Sequence, residues 1–332
     1  MDPRGFPTSL PEFQAVFPTE EACAAYLEKL RWPDGFVCPS CGVAGEAWRF
    51  KDRVTRFRCH ACRKDEHLTA GTVMKNTHVD LSVWFWAAFL VTTHTPGHSA
   101  LQFQRSLGLS RYETAFQILH KLRSGMVNPD RSSIGVGERV DHVEVDEVLI
   151  GGRTKGEGRG KHHKTLVVGA VEVKAKKPDE SRVGKPVRHP TYMGRLRLTI
   201  AAARTTKLIE GFVTDNVSKG ASVRTDGLAR YDGLRDLGYR HDPIIVRGDQ
   251  TLTEAHLNAI HTVFGNLKVW LLGTHHGVSQ THLQAYLNEF VFRFNRRFYP
   301  MTTFNSILGL AAHKIPPTYE ALYSGEWQHP TG

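Results

Sequence analysis

The sequence predicts an α/β core, a mixed sheet flanked by helices, preceded by a cysteine-built zinc ribbon and a helix-turn-helix segment. Three observations carry that expectation. Four of the five cysteines fall in two evenly spaced pairs, two short amphipathic stretches flank a glycine-containing turn, and from residue 141 onward strand-like alternation is followed by helical periodicity. With 332 residues, two or three modules are expected.

The N-terminal segment, residues 1–35, contains "EEACAAYLEKL", an amphipathic helical pattern in which Cys23 is a small packed residue. Residues 36–75 form the expected ribbon. Cys38 and Cys41 read "CPSC", Cys59 and Cys62 read "CHAC", and 17 residues separate the pairs. Two residues between cysteines let a tight turn aim both sulfurs at one ion, and two such turns close a tetrahedron around Zn2+. With all four positions filled by protein, the site is structural. Between the pairs, "EAWRFKDRVTRFRC" alternates apolar and basic residues, as short ribbon strands with one basic face do.

Residues 76–127 open with the apolar aromatic run "DLSVWFWAAFLVTTHT", a helix with Asp80 at its start. The following "SALQFQRSLGLSRYETAFQILHKLRSGM" reads as helix, turn and second helix, with Ala115, Ile118, Leu119 and Leu122 on one face. A second helix in that arrangement enters the DNA major groove, which makes Arg111, Tyr112, Gln117, Lys121 and Arg123 candidate contacts to bases or phosphates. An ordinary helical hairpin is the alternative. Residues 128–140, rich in Pro, Gly and Ser, read as a linker.

The segment 141–313 is the expected core, followed by a tail at 314–332. In "DHVEVDEVLIGG", Val143 and Val145 alternate with Glu144 and Asp146, so one strand face is polar. "RTKGEGRGKHHK" is a basic, glycine-rich turn, "TLVVGAVEV" a buried strand, and "RLRLTIAAA" a third strand. The stretch from Lys174 to Arg195 reads as an exposed hairpin or insertion. "TTKLIEGFVTDNV" is a helix, "SVRTDG" a short strand ending at Asp226, and "LARYDGLRDLG" another helix. Three strands, a helix and a fourth strand carrying an aspartate fit the ribonuclease-H-like arrangement. There, strand-end carboxylates such as Asp146 and Asp226 lie side by side and need cations to offset their repulsion. Two hard ions such as Mg2+ would serve phosphodiester chemistry.

Lysine and arginine total 43 against 33 acids, a formal net charge of +10, which favours a polyanionic partner. The longest apolar run, "LSVWFWAAFLV", is far shorter than the roughly 20 residues that span a bilayer. "MDPRGFPTSLPEFQ" has no apolar signal core, so a cytoplasmic, nucleic-acid-associated protein without a membrane is expected.

The order of CPSC and CHAC, the aromatic helix, "VEVDEVLIGGRTKGEGRGKHHK", "RTDGLARYDGL" and "GNLKVWLLGTHHGVSQTHLQAYLNEFVFRFNRR" resembles DDE-type transposases of bacterial insertion sequences. The likeness is closest to the group with an N-terminal zinc ribbon, and it runs from around residue 20 to 310. It implies that Asp146 and Asp226 are the first two ligands of two Mg2+ or Mn2+ ions. The third ligand of that family lies on a helix, seven residues before a lysine, which here corresponds to His261 and Lys268. Many relatives have Glu there, and some subgroups have Asn or His. An imidazole is softer and uncharged, which shifts preference towards Mn2+. Asn258, one turn earlier, and Glu289 remain alternative third ligands.

Glu289, Arg293 and Arg296 recur every three or four residues as one polar stripe, beside Tyr286, Phe290 and Phe294 on the packed face. The arginines, like Lys268, are expected to meet DNA phosphates. His275, His276 and His282 are expected to be DNA-contacting or structural. The resemblance implies binding of terminal inverted repeats and target DNA, metal-dependent cleavage and strand transfer, and a homo-oligomeric synaptic complex. A catalytically inactive DNA-binding descendant and a ribonuclease-H-like nuclease without joining activity are the alternatives.

Overall fold

A computed structural model describes residues 7, 9–127, 131–151, 164–177, 190–245, 249–299, 303–304 and 306–308. The basic turn up to His163, residues 178–189 of the expected insertion and the 314–332 tail lie outside them. The described residues fall into two compact units: those up to Val127 together with those from Arg296 on, and those from Arg131 to Asn295.

In the first unit, α1 (Leu10–Val16) and α2 (Glu20–Arg31) begin at Ser9 and Thr19, whose side-chain oxygens accept the N–H groups of Glu12 and Ala22. The ribbon is an antiparallel sheet of β1 (Ala47–Phe50), β2 (Arg53–Cys59) and β3 (Asp65–His67), in that order. Helix α3 (Leu81–Thr93) is apolar on nearly every side and buries nine of its 13 residues. Its start has no side-chain cap of its own. Glu20 of α2 supplies one, its two oxygens accepting the N–H groups of Leu81 at 2.7 Å and Ser82 at 3.0 Å. Phe13, Phe17, Phe85, Phe89 and Phe304 form one aromatic cluster with ring centroids 4.4–6.2 Å apart. Phe304, inside the expected core segment 141–313, packs instead in this first unit.

Helices α4 (Ala100–Ser106) and α5 (Tyr112–Gly125) follow one another across a short turn, and Ala115, Ile118, Leu119 and Leu122 are buried as their spacing predicts. Arg123 is a correction. At 1% exposure it belongs to the interior and is not available to DNA. The helix is amphipathic only in its first half; beyond Ile118 its buried face widens to take in His120, Arg123 and Ser124.

The second unit holds a mixed five-stranded sheet, ordered β6-β5-β4-β7-β8, from β4 (Val140–Ile150), β5 (Thr165–Ala175), β6 (Thr191–Ala201), β7 (Ser222–Thr225) and β8 (Arg240–Pro243). The first three strands pair antiparallel, while β4, β7 and β8 are parallel. One face carries Val143, Val145, Val168, Ala170 and Val223 against α6 (Thr206–Asn216). The other carries Val167, Val171, Leu196 and Leu198 against α8 (Asn258–His275) and α9 (Gln280–Asn295), with α7 (Gln250–His256) preceding α8. Because side chains alternate across a strand, Glu144 and Asp146 point towards α8.

Several local expectations change. "LARYDGLRDLG" forms only a 3-10 turn, Ala229–Leu234, and β8 is an additional edge strand whose sequence, RHDP, has no apolar alternation. Ile134, inside the expected linker, is fully buried and bridges Val217. The other edge strand, β6, is covered by α9. The N–H of Ile200 donates to Gln284 and that of Leu196 to Asn295, whose amide in turn donates to the Leu196 carbonyl. Three backbone groups of this edge are thereby paired.

Candidate active site and zinc centre

The four ribbon cysteines converge. Cys38 Sγ lies 3.7 Å from Cys62 Sγ, Cys41 Sγ lies 3.8 Å from Cys59 Sγ, and all four sulfurs are within 4.8 Å of one another. Disulfide sulfurs would be about 2.05 Å apart. Four sulfurs bound at about 2.3 Å around one Zn2+ are separated by about 3.8 Å along the tetrahedron edges, so the donor set fits that ion. Both knuckles share one construction. The residue after the second cysteine, Gly42 or Arg63, is left-handed (φ 73° and 63°) and donates its N–H to the carbonyl of the first cysteine.

The second candidate site forms where β4 and β7 run side by side. Val143 pairs with Val223 and Glu144 with Arg224. Continuing that register brings Asp226, one residue past β7, level with Asp146. The two carboxylates sense each other. Burial pushes Asp226 above the ordinary carboxylate range, the N–H of Leu228 opposes this, and the Asp146 charge adds to the rise while the Arg230 cation reduces it.

Two features let α8 reach Asp146. Gly169 of β5 stands directly opposite Asp146 in the sheet. A Cβ at Gly169 would come within 2.9–3.0 Å of side-chain atoms of Leu198 on β6 and of Ile260 and Phe264 on α8, so the glycine lets these side chains pack closely over the strand. The start of α8 also lacks a side-chain cap of its own, and Glu144, 4% exposed, accepts the Ile260 N–H at 2.8 Å. The next residue is His261. Its Nε2 lies 3.0 Å from Asp146 Oδ2, with the ring 44% exposed. The Asp146 hydrogen bond holds His261 above the ordinary imidazole range despite its partial burial, and the Asp146 and Glu144 charges act in the same sense. Lys268, exposed on the same helix side, opposes them.

A 3.0 Å separation suits a hydrogen bond, and it also matches the spacing of two adjacent ligands on an octahedral ion bound at about 2.1 Å. The oxygen and imidazole donors thus fit a divalent metal. Among the described residues, only the four cysteines gather three or more His, Cys, Asp or Glu donors into one tight cluster. Asp226 stands beside the Asp146–His261 pair rather than in contact with both.

The remaining candidates are distributed differently. Asn258 accepts a hydrogen bond from Thr262, and it is His261 that meets Asp146. Glu289 is fully buried on α9, 3.6 Å from Arg293, over a strand two places from β4. Arg296 lies one residue beyond α9 and is half-buried. Lys121 is half-buried, with Nζ 3.3 Å from the Lys75 carbonyl and over the Trp84 ring, whereas Arg111 is exposed. His275 packs against Trp270 and Tyr286.

One group at the site had no local sequence signal. Glu147, whose side chain is 3% exposed, turns to the opposite face from Asp146 and accepts the Tyr231 hydroxyl at 2.5 Å. The same carboxylate lies 2.9 Å from Arg230 and 3.7 Å from Arg204. These contacts join residues far apart in the chain, and only the tertiary fold reveals them.

Comparisons with known proteins agree with this architecture. A family model described as ISXO2-like transposase domain matches residues 139–295, and one described as transposase zinc-ribbon domain matches residues 18–65. The chain is also 25% identical, over 281 residues, to an uncharacterized protein in transposable element ISH50 of Halobacterium salinarum, an alignment covering 84% of this chain and 92% of that protein. Among the described residues no helix is long and apolar enough to cross a membrane. With the ribbon matched upstream and the carboxylate-bearing sheet matched downstream, the two family matches together indicate an insertion-sequence transposase with an N-terminal zinc ribbon.

Proposed function

We propose that this transposase binds the terminal inverted repeats of its element and cuts and rejoins DNA at a divalent-metal site held by Asp146, Asp226 and His261. The observation that carries the reading is the contact of Asp146 Oδ2 with His261 Nε2 at 3.0 Å, at the level of Asp226 on the neighbouring parallel strand. When bound, Mg2+ or Mn2+ would offset the carboxylate charges and stabilise the charge that develops on the scissile phosphate. In cleavage, water attacks phosphorus and the bond to the 3′-oxygen breaks, leaving a 3′-hydroxyl and a 5′-phosphate. In joining, that 3′-hydroxyl attacks a target phosphodiester and releases a target 3′-hydroxyl.

The protein's part is positional. Glu144 and Gly169 seat α8, Asp146 orients His261 through Nε2, and Lys268 on the exposed side of α8 faces the phosphate backbone. The ribbon with its Zn2+, the exposed start of α5 at Arg111, and the basic charge balance supply binding to double-stranded DNA, in the cytoplasm. A homo-oligomer would hold two element ends together.

The test is a strand-transfer assay on a terminal-repeat duplex with Mg2+ or Mn2+. Wild type is expected to give cleaved and joined products, and Asp146→Asn and Asp226→Asn to give neither. Activity that survives both substitutions overturns the site. Binding without cleavage by the wild type would instead identify a DNA-binding descendant, and cleavage without joining a nuclease.

A further inference from the structure

Glu147 is a buried carboxylate that holds two guanidinium groups when one would satisfy its charge. The Tyr231 hydroxyl fixes one of its oxygens, and Arg230 and Arg204 approach the other. The side chains of Arg230 and Arg204 are 21% and 45% exposed, so each keeps part of its donor fork towards solvent. A guanidinium has five N–H donors in a planar fork that suits phosphate oxygens, and one carboxylate partner leaves most of them unused. The cluster therefore has one positive charge in surplus and is fixed from below by a buried anchor.

Its position is equally specific. Arg230 is four residues after Asp226, and Glu147 is the residue next to Asp146. Arg204 follows the end of β6, at the sheet edge where β4 ends and β5 begins. There it lines a groove of about 470 Å³ with Lys164, Thr165, Ala202 and Gln280. Among the described residues the lining carries two cations, Lys164 and Arg204, and no carboxylate. Three acids, Asp146, Asp226 and Glu147, would otherwise repel a DNA strand approaching this end of the sheet.

We propose that Arg204 and Arg230, anchored on Glu147, form a phosphate clamp for the DNA strand entering the Asp146–Asp226 site, and that the groove between Lys164 and Arg204 carries that strand. The proposal rests on the DNA-processing reading above and adds the residues that grip the strand beside the scissile position.

The experiment uses the full chain and a fluorescent duplex carrying the terminal repeat, with no divalent ion added, so that no cleavage is needed. Affinity is measured across a KCl series for wild type, Arg204→Ala, Arg230→Ala, Arg204→Lys and Arg230→Lys. The control is Arg240→Ala, an exposed arginine at the opposite end of the parallel strands. A cation that neutralises one phosphate adds about 0.9 to the slope of log affinity against log salt, so removing it flattens the slope by that amount. Arg204→Ala and Arg230→Ala are each expected to flatten it so, and to weaken binding about five- to tenfold at low salt. The lysine variants should recover part of the loss, and Arg240→Ala should leave the slope unchanged.

Unchanged slopes in both alanine variants, or an equal fall in Arg240→Ala, overturn the clamp. Thermal unfolding accompanies each variant. Should Arg230→Ala fail to fold, Arg230→Lys and the more exposed Arg204→Ala decide the matter. If wild type never cleaves yet the slopes fall, the clamp stands and the catalytic reading fails. If wild type cleaves and the slopes hold, the clamp alone fails.

Discussion

Glu144 Oε2 accepts the backbone N–H of Ile260 at 2.8 Å, so a carboxylate of the central strand caps the helix that carries the next residue, His261. The carboxylate does two things at once. It satisfies a donor at a helix start that has no side-chain cap of its own, and it fixes α8 against β4 beside Asp146.

Glu144→Ala should therefore cost more than Glu144→Gln. The alanine leaves a buried N–H without an acceptor, a loss of about 1–3 kcal/mol, whereas glutamine keeps an acceptor and should recover about half. Urea unfolding measures the difference. Strand-transfer activity should follow the same order, because His261 drifts as the cap loosens.

The cysteine geometry gives a second expectation. The purified chain should carry one Zn2+, and Cys41→Ser or Cys59→Ser should lose it. Without the ion the two knuckles lose their common anchor, since binding of a structural zinc supplies much of the folding free energy of such small modules. Limited proteolysis should then cut within residues 36–75 while the second unit stays resistant. Metal content by atomic absorption, together with the cleavage map, checks both statements.

Glu172 links the core to pH. It is fully buried on β5, 2.8 Å from Arg195, and it accepts the N–H groups of Gly135 and Arg195. Burial raises its pKa, but the Arg195 bonds and the two backbone N–H groups outweigh burial and leave it below the ordinary range. A carboxyl with a depressed folded pKa stabilises above the unfolded value, about 4.3, and that contribution disappears as pH falls through the folded value. Glu172→Gln should thus be about 2 kcal/mol less stable than wild type at pH 7. The two should converge in acid, which unfolding curves from pH 7 to 3 would show.

His261 has the opposite sign. Its pKa is raised by the Asp146 bond, so without metal the imidazolium–carboxylate pair stabilises the fold below the ordinary imidazole value, and that contribution is lost as pH rises through the raised value. A divalent ion must displace this proton. Mn2+ titrated calorimetrically in buffers of different ionisation enthalpy should release a proton near pH 6, and the release should fade at higher pH. His261→Ala should abolish the proton release and weaken Mn2+ binding about tenfold.

Local patterns carried the parts of the fold that depend on local chemistry. The two cysteine pairs specified a tetrahedral donor set, and the alternation through Val143, Glu144, Val145 and Asp146 put both acids on one strand face. The seven-residue step from His261 to Lys268 placed both on one side of α8. Other features depend on partners distant in sequence. Arg123 reads as solvated until its neighbours bury it, and RHDP of β8 pairs through its backbone whatever its side chains. Gln284 and Asn295 look like surface polar residues, yet they accept backbone N–H groups of the β6 edge. Glu147 reads as the polar neighbour of Asp146 until Tyr231, 84 residues later, covers it.

The most direct test of the catalytic site is an anomalous diffraction map of the full chain bound to terminal-repeat DNA and Mn2+. The predicted result is a peak bounded by Asp146 Oδ2 and His261 Nε2, with Asp226 drawn in as a ligand. A map with Mn2+ held by Glu289, or with no peak beside Asp146, would contradict it.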